Sequence, residues 1–342
     1  MKKTLIKIAK FLGFFSLALV LLYFAFKGIN FKALLNDLKG ANYWWIALSF
    51  VFSMISFFSR ARRWTLIIEP LNYKPSFWNT FYSMMIGYLA NFAFPRIGEV
   101  TRCVTLGKKE KIPVDALFGT VIVERVFDLF MLIVLMIGLL LAWWEKFGFF
   151  FKDKIFIPLS QKITSTFGAG WHFWLIIAGI LIILTVLLIV FRKKMYRFNL
   201  VIKIRKFILG IISGLKTVYK MKRKWEFIFH TVLIWVSYIF MTWVVVFAMP
   251  ATSNLNFIDG IFLLIIGGLG MAAPTQGGFG SHHWITSRGL FFVYGISLED
   301  GLAYATLCHE SQTLLIILIG SLSFLMLFLH KKKESNPVKA SA

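Results

Sequence analysis

The sequence has few of the residues that build disulfides, cysteine metal sites or nucleotide loops. Among 342 residues only Cys103 and Cys308 are cysteines, one in a basic segment and one beside an apolar helix. This pair indicates neither a disulfide framework nor a cysteine-based metal site. The glycine-rich loop with its lysine that holds nucleotide phosphates does not occur, which excludes a P-loop ATPase. Any transport is therefore expected to be passive or ion-driven.

Acidic residues are also scarce, whereas apolar residues dominate. There are 15 Asp and Glu against 38 Lys and Arg, and 58% of the residues are hydrophobic. Apolar runs recur at lengths near those that cross about 30 Å of hydrocarbon. We therefore predict an all-α polytopic membrane bundle, with one integral domain over residues 1–330 and a short basic tail over residues 331–342.

The net charge of +23 does not indicate nucleic-acid binding. The basic residues lie between apolar runs and at both ends of the chain, where the positive-inside rule and anionic lipid head groups explain them. Six full spans are predicted. They are Phe11–Phe26, Tyr43–Ser59, Asp115–Ala142, Phe173–Phe191, Glu226–Met249 and Tyr304–Leu329.

The distribution of charge also predicts the topology. The segment Arg192–Lys224 contains twelve Lys or Arg and no acid, which is typical of a cytoplasmic loop on anionic lipid. Met1–Lys10 contains four lysines, and no small-x-small cleavage site follows the first apolar run, so we expect an uncleaved span. Both termini are predicted to lie in the cytoplasm, with Lys331–Lys333 marking the C-terminal side.

Two apolar segments, Ala90–Arg102 and Gly267–His283, are broken by proline, glycine and polar residues. Such breaks are tolerated where backbone lines a cavity inside a membrane protein. The first has basic flanks, including Arg60, Arg62 and Arg63 before it, so Phe77–Phe94 is expected to enter from the cytoplasm and return. The flanks of the second segment, residues 250–257 and 295–301, include no Lys or Arg, which is typical of external loops, so this segment is expected to enter from the other side. Two opposed re-entrant hairpins suggest an inverted repeat with a site near the midplane. Full crossing by both segments is the alternative.

The first broken segment carries charge directly after its helix-ending proline. Pro95 ends the helix, Gly98 permits an unusual backbone angle, and Arg96 and Glu99 can pair or face a charged ligand. We interpret Arg96 and Arg102 as ligands of a phosphate, with Glu99 orienting one of them. The alternative is an ordinary cytoplasmic loop beside lipid head groups.

Three further charges lie inside an apolar helix. Glu124 and Asp128 are four residues apart and share a helix face, and Arg125 can reach Asp128. Uncompensated charge in mid-membrane costs about 2.5–3.5 kcal/mol per residue on insertion scales, so these side chains are expected to face the protein interior. They could contact substrate, or form an ion pair that holds this helix against the segment 96–99.

The second broken segment contains Gly277, Gly278, Phe279 and Gly280, which together predict a loop that a ligand can approach closely. A half-helix beginning near Ser281 would direct free N–H groups and a positive dipole end at an anion. Close helix packing is the alternative use of these glycines.

Histidines near this loop are candidates for lining a polar cavity. His282, His309 and Glu310 are assigned this role. Metal binding is not expected, because the adjacent His282 and His283 should point to different faces of a helix and no recognised zinc spacing occurs. No cofactor is predicted either.

The motifs together resemble a known family. The chain is similar, over roughly residues 5–330, to the flippase-like transmembrane domain of bacterial lysylphosphatidylglycerol synthases. It departs from the family at Ser281-His282-His283, where an acidic residue is expected. The motifs that carry the resemblance are Asn91 with Pro95-Arg96-Ile97-Gly98-Glu99-x-x-Arg102, Glu124-Arg125-x-x-Asp128, and Pro274-x-x-Gly277-Gly278-Phe279-Gly280.

The resemblance implies a multi-pass domain of the bacterial cytoplasmic membrane that moves lipids between leaflets. The full-length synthases carry a separate domain that transfers lysine from lysyl-tRNA to phosphatidylglycerol. This chain is expected to lack that domain, so a lysyltransferase activity is not predicted. A separate lipid-modifying enzyme is a candidate partner.

The leading hypothesis is a translocase that takes a phospholipid or polyprenyl-phosphate head group into a polar intramembrane groove. The expected head-group ligands include Asn91 and the residues of both broken segments. One alternative is a small-solute transporter. Another is a membrane enzyme, or an enzyme subunit, that modifies a lipid head group, with Glu99, Glu124, His282 or His309 as acid or base.

Overall fold

A computed structural model describes residues 38–93, 96–167, 221–273 and 275–334. These residues contain helices and turns but no strand, which confirms the predicted all-α class. Four of the helical segments within these ranges are long and apolar enough to cross a membrane. The predicted spans Phe11–Phe26 and Phe173–Phe191, and most of the basic segment Arg192–Lys224, lie outside the described residues.

The described ranges contain ten α-helices, which are labelled in chain order. Short 3-10 turns follow α1 (Glu69–Leu71) and α7 (Val244–Ala248), and another lies at Gln276–Gly278, while a π-helical segment, Phe150–Phe156, joins α5 to α6. The helices are α1 (Tyr43–Ile68), α2 (Phe77–Ala93), α3 (Ile97–Glu110), α4 (Val114–Ala142), α5 (Trp144–Phe149), α6 (Ile157–Phe167), α7 (Lys224–Trp243), α8 (Phe257–Ala272), α9 (Ser281–Tyr294) and α10 (Leu298–Glu334).

Two long helices extend beyond their predicted limits. Helix α1 passes the predicted end at Ser59 and continues to Ile68. Helix α10 begins at Leu298, before the predicted start at Tyr304. The sequence of α1 contains neither proline nor glycine to stop it, and the arginines in its last turns find acidic partners on another helix. The first arginines after the apolar run therefore do not mark the C-terminal end of α1.

The first broken segment forms a hairpin of α2 and α3. The prediction that Phe77–Phe94 enters and returns within itself is wrong, because α2 is one continuous helix to Ala93 and α3 is the returning leg. The unusual backbone angle expected at Gly98 occurs instead at Arg96, which has a left-handed φ of 61°. Gly98 lies inside α3, and its N–H donates to Asn91 Oδ1 at 2.7 Å.

A close backbone approach holds this hairpin together. A Cβ atom on Gly98 would lie 2.1 Å from the carbonyl oxygen of Gly87 on α2. Real side chains never approach backbone so closely, so this crossing requires glycine. Glu99 and Arg102, for which an ordinary cytoplasmic loop was the alternative, are therefore carried on a helix that is fixed against α2.

The second broken segment forms a hairpin of α8 and α9. Asn256 and Asp259 form a capping box that starts α8, each side chain accepting from the backbone N–H at the other's position. Gly277, Gly278 and Gly280 all have positive φ and make the turn. Helix α9 then begins at Ser281, as predicted.

The open ends of the two hairpins lie at opposite ends of the bundle. At one end, Arg223 before α7 lies 3.5 Å from Glu69 after α1. There Glu110 at the end of α3 accepts from the backbone N–H of Ser76, directly before α2, at 3.0 Å. The first hairpin therefore opens at the end where α1 finishes and α7 begins.

The other end of the bundle holds the start of α1, the end of α7 and the open end of the second hairpin. The N–H of Asn42 donates to the carbonyl of Ala248 at 2.8 Å. The Tyr294 hydroxyl, at the end of α9, donates to Asp259 at 2.9 Å, and Lys146 lies 2.6 Å from the same carboxylate. Helices α1 and α7 are therefore antiparallel, and the two hairpins point toward each other.

Neighbouring helices pack in the cyclic order α1, α2, α10, α9, α8 and α7, and α4 contacts α1, α3 and α8. One apolar core surrounds Phe262 of α8, whose ring stacks on Phe147 at 4.8 Å between centroids. A second core lies between α1, α2, α3 and α4 around Trp64 and Met84. The charged residues described next lie beside this second core.

Candidate functional site

Five charged side chains from three helices meet between the apolar helices. Arg60 and Arg63 lie on α1, Arg102 on α3, and Glu124 and Asp128 on α4. The exposed fraction is 0% for Arg63 and Glu124 and 1% for Arg102. We call these five residues the arginine cluster. Its three arginines and two carboxylates leave one positive charge in excess.

The two arginines of α1 hold both carboxylates of α4. Arg60 donates to Glu124, to Asp128 Oδ2 at 3.1 Å and to the Tyr238 hydroxyl at 2.7 Å. Arg63 donates to Asp128 Oδ1 at 2.6 Å and reaches Glu124 Oε1 at 3.5 Å. Helices α1 and α4 are thus joined by charge-assisted hydrogen bonds in an apolar environment.

Arg102 is held less completely. Its Nη1 lies 2.9 Å from Glu124 Oε2, and its guanidinium lies 4.7 Å from the centroid of the Trp64 ring. None of its three guanidinium nitrogens makes a hydrogen bond within the described part of the chain, and the same holds for Arg60 Nε and for Nε and Nη1 of Arg63. Arg102 Nη1 is used by its contact with Glu124, so the other five nitrogens are the buried donors left without a partner among the described residues.

The sequence identified the acids of this cluster but not its main cations. Glu124 and Asp128 share a face as predicted, and Arg125 lies 3.6 Å from Asp128. The Arg125 side chain is 43% exposed, however, and also pairs with Glu99 at 3.2 Å. The principal partners are the two arginines of α1, which the sequence analysis placed in a cytoplasmic flank. The available signal was that Arg60 and Arg63, three residues apart, share one helix face, as Glu124 and Asp128 do on α4.

The remaining predicted ligands of the first segment lie at the hairpin tip or along α3. Arg96 is exposed and donates to the carbonyl of Ala272 on the second hairpin at 3.3 Å. Arg102 lies six residues further along, about 9 Å by helical rise. Asn91 holds the backbone of Gly98. Pro95 lies outside the described residues.

The tips of the two hairpins touch. A Cβ atom on Gly277 would lie 2.8 Å from the Phe92 ring of α2. Ser281 donates through its hydroxyl to the carbonyl of Gly278 at 3.1 Å, which closes the glycine turn. Pro274, between α8 and this turn, lies outside the described residues. The predicted glycine loop is therefore placed against the first hairpin.

The histidines near the second tip converge, so the expectation that His282 and His283 diverge is wrong. Their ring centroids lie 5.1 Å and 5.2 Å from that of His309. Phe279 packs edge-on against His309 at 5.2 Å. Glu310 Oε1 lies 2.9 Å from His309 Nδ1. The rings of His282 and His283 both reach His309 because α10 packs against α9 and places His309 beside its first turn.

The structure is that of a polytopic helical membrane protein with a polar interior. It combines long apolar helices with two hairpins that meet at their tips and a buried charge cluster. The chain belongs to the family described as "Lysylphosphatidylglycerol synthase TM region", whose model matches residues 8–320. The resemblance seen in the motifs is thereby confirmed.

A comparison with curated proteins finds a relative in Methanocaldococcus jannaschii, a UPF0104 membrane protein. It is 26% identical over 304 residues, which cover 82% of each chain. No solved structure matches the chain.

Proposed function

We propose that this protein moves a phosphate-bearing lipid, either a phospholipid or a polyprenyl phosphate, between membrane leaflets without altering it chemically. The observation that carries the proposal is the arginine cluster, with its excess positive charge and five buried guanidinium nitrogens that have no partner among the described residues. Unpaired donors are costly in an apolar interior unless a ligand uses them.

A phosphate group matches this set of donors. Arginine binds phosphate through two parallel N–H bonds, and such charge-assisted bonds offset the dehydration of a head group. One additional anion would also neutralise the excess charge of the cluster. The acyl or prenyl chains of the lipid would stay in the hydrocarbon while the head group occupies the protein interior.

The exposed charges of the first hairpin suit the entry of a head group. Arg96 at the tip and Arg125 on α4 are both accessible, and Glu99 is paired with Arg125. On helix α3, Glu99 and Arg102 are three residues apart and therefore share a face. Opening the Glu99–Arg125 pair would lead a phosphate from Arg125 to the buried Arg102.

The arrangement of the hairpins supports access from both leaflets. They open at opposite ends of the bundle and meet at their tips through Arg96 with Ala272 and Phe92 with Gly277. Opposed elements that meet within a bundle are the basis of alternating access in transporters with inverted repeats. Each hairpin would enter the membrane and return on one side, and it would open or close access to the polar interior from that side.

We also propose the membrane in which the protein lies and its orientation there. It would lie in the bacterial cytoplasmic membrane with both termini in the cytoplasm, and the basic segment Arg192–Lys224 would contact anionic lipid. A separate enzyme would supply or consume the transported lipid.

The test measures leaflet exchange of head-group-labelled phospholipids and polyprenyl phosphate in vesicles that contain the purified protein. Wild type is compared with Arg102→Gln, and with Arg62→Gln as a matched control, because Arg62 pairs with Glu226 outside the cluster. We expect protein-dependent exchange that falls at least about tenfold in Arg102→Gln, which corresponds to a loss of about 1.4 kcal/mol. Arg62→Gln should resemble wild type.

Two outcomes would contradict the proposal. If no phospholipid or polyprenyl phosphate exchanges in a protein-dependent manner, the protein is not a translocase of these lipids. If mass spectrometry of the recovered lipid shows a new chemical species that forms only with wild type, the protein modifies head groups, and the enzyme hypothesis replaces this one.

A further inference from the structure

A second polar cluster, separate from the arginine cluster, lies at the tip of the second hairpin. It consists of His283 on α9 and of His309 and Glu310 on α10. One ligand atom from each residue can be chosen so that all three lie within 4.8 Å of one another. His283 and His309 are buried, with exposed fractions of 2% and 7%.

The hydrogen bonds of His309 leave one nitrogen facing a carboxylate. Its Nε2 lies 2.7 Å from the carbonyl oxygen of Gly277, which can only accept, so Nε2 carries a hydrogen. In the neutral ring Nδ1 then has a lone pair, and this lone pair faces Glu310 Oε1 at 2.9 Å. Two acceptors that face each other require a cation between them.

His283 completes a set of three ligand atoms. Its Nε2 lies 3.4 Å from Glu310 Oε1, whereas its Nδ1 is buried without a hydrogen-bond partner among the described residues. Ligands at 2.0–2.2 Å from a tetrahedral zinc ion are about 3.4 Å from each other. The His283–Glu310 separation therefore already suits a shared metal ion.

We propose that His283, His309 and Glu310 bind one divalent transition-metal ion, for which zinc is the best fit. Two imidazoles and one carboxylate form a ligand set suited to zinc, and three protein ligands leave a fourth position open. The bond from His309 Nε2 to the Gly277 carbonyl is the outer interaction that commonly orients a metal-binding histidine. His282 is not one of the ligands, because its Nε2 is directed at Gly267 of α8.

Such an ion would fix the second tip. It would join the first turn of α9 to α10, and through His309 it would hold the turn at Gly277. The same turn contacts Phe92 of the first hairpin. The metal site would therefore stabilise the point where the two hairpins meet.

Metal binding by the full-length protein in detergent tests the proposal. The protein is stripped with a chelator and titrated with Zn²⁺ by calorimetry and with Co²⁺ by absorption, since Co²⁺ reports its own coordination geometry. We expect one ion per chain with the intense absorption of tetrahedral Co²⁺. His309→Gln and Glu310→Gln should each weaken binding at least about 100-fold, the upper range reported for altering outer-shell partners.

His230→Asn serves as the matched control, because it removes a histidine from α7 and should leave the affinity unchanged. Variants are compared only when their size-exclusion profile matches that of wild type, and His283→Asn replaces any that does not fold. As a second readout, Zn²⁺ should raise the unfolding midpoint of wild type and of His230→Asn only.

The proposal is wrong if wild type binds no stoichiometric Zn²⁺ or Co²⁺, as expected if a proton on His309 is the cation. It is equally wrong if the ligand variants bind as tightly as His230→Asn. Metal binding is measured without lipid exchange, so this proposal and the proposed lipid movement can fail separately.

Discussion

Glu124 is the more deeply buried of the two carboxylates in the arginine cluster. It is fully buried and contacts Arg60, Arg63 and Arg102. Removing one partner of a buried ion pair leaves the other charge without compensation, which costs about 3–5 kcal/mol. An acid in this position is therefore needed for folding whatever its role in transport.

We predict that Glu124→Gln lowers the free energy of unfolding by about 3–5 kcal/mol, measured by denaturant titration in detergent. Glu226→Gln is the control, because Glu226 also pairs with an arginine, Arg62, but both side chains are 27% exposed. Pairs of that kind contribute about 0–1 kcal/mol. Equal losses in the two variants would contradict the assignment of Glu124 to a buried cluster.

Residue patterns identified the acids of the cluster and missed Arg60 and Arg63. Glu124 and Asp128 interrupt an apolar run, so their burial follows from the cost of charge in a membrane. Arg60 and Arg63 follow Ser59 in the same way that flanking cytoplasmic residues do. Only their contacts with residues more than 60 positions away distinguish them, and a local pattern does not contain such contacts.

At the scale of elements, the crossing of α2 and α3 depends on two glycines. A Cβ on Gly98 would meet the Gly87 carbonyl at 2.1 Å and Asn91 Oδ1 at 2.6 Å. We predict that Gly98→Ala destabilises the protein by about 1–3 kcal/mol, the usual cost of overpacking. The free energy of unfolding in detergent measures this loss.

Gly119→Ala provides the matched control within α4. No atom lies within 4 Å of a Cβ built on Gly119, and alanine favours a helix over glycine by about 1 kcal/mol. This variant should be as stable as wild type or more stable. If Gly98→Ala also leaves the free energy of unfolding unchanged or raises it, helices α2 and α3 do not cross as closely as described.

The pair between Glu99 and Arg125 joins the first hairpin to α4 at a partly exposed position. Because the Arg125 side chain is 43% exposed, breaking the pair should change stability by no more than about 1 kcal/mol. We predict that Glu99→Gln speeds protein-dependent lipid exchange, since the pair closes the way to Arg102. Exchange unchanged from wild type, with stability preserved, would show that this pair is not a gate.

The boundaries of the first hairpin could not be predicted from its sequence. The charged residues after Pro95 left an ordinary cytoplasmic loop open as an alternative, whereas α3 begins at Ile97 and carries these residues along one leg of the hairpin. What fixes α3 against α2 is a backbone contact between Gly87 and Gly98, 11 positions apart. The start of α9 at Ser281 was predictable, because glycines mark it in the sequence.

At the scale of the whole molecule, the contacts divide the described loops between two ends of the bundle. Lys222 lies beside Arg223 at the end where the first hairpin opens, and Glu145 lies beside Lys146 at the other end. Both Lys222 and Glu145 are exposed. With the proposed orientation, the first position faces the cytoplasm and the second faces outside.

We predict that a membrane-impermeant thiol reagent labels Glu145→Cys in intact cells and labels Lys222→Cys only after the membrane is opened. The background replaces the two buried native cysteines, Cys103 and Cys308, with alanine. Labelling in the reverse order would invert the proposed topology. Labelling of both positions in intact cells would mean that they do not lie on opposite sides.

The general architecture was predictable because it follows from hydropathy and charge. Four predicted spans coincide with α1, α4, α7 and α10, and the two broken segments form hairpins. The contact between the hairpin tips was not predictable, since it depends on Arg96 reaching Ala272 across 176 positions. The convergence of the histidines likewise required the packing of α9 on α10.

A phosphate site in the arginine cluster is tested by comparing the exchange of two labelled lipids with identical chains, one bearing a phosphate and one a neutral sugar. Both are measured in the same vesicles with wild type and with Arg102→Gln. We predict that wild type exchanges the phosphate-bearing lipid at least about tenfold faster, a preference of about 1.4 kcal/mol, and that Arg102→Gln loses this preference. Equal exchange of the two lipids by wild type would contradict a phosphate site in the arginine cluster.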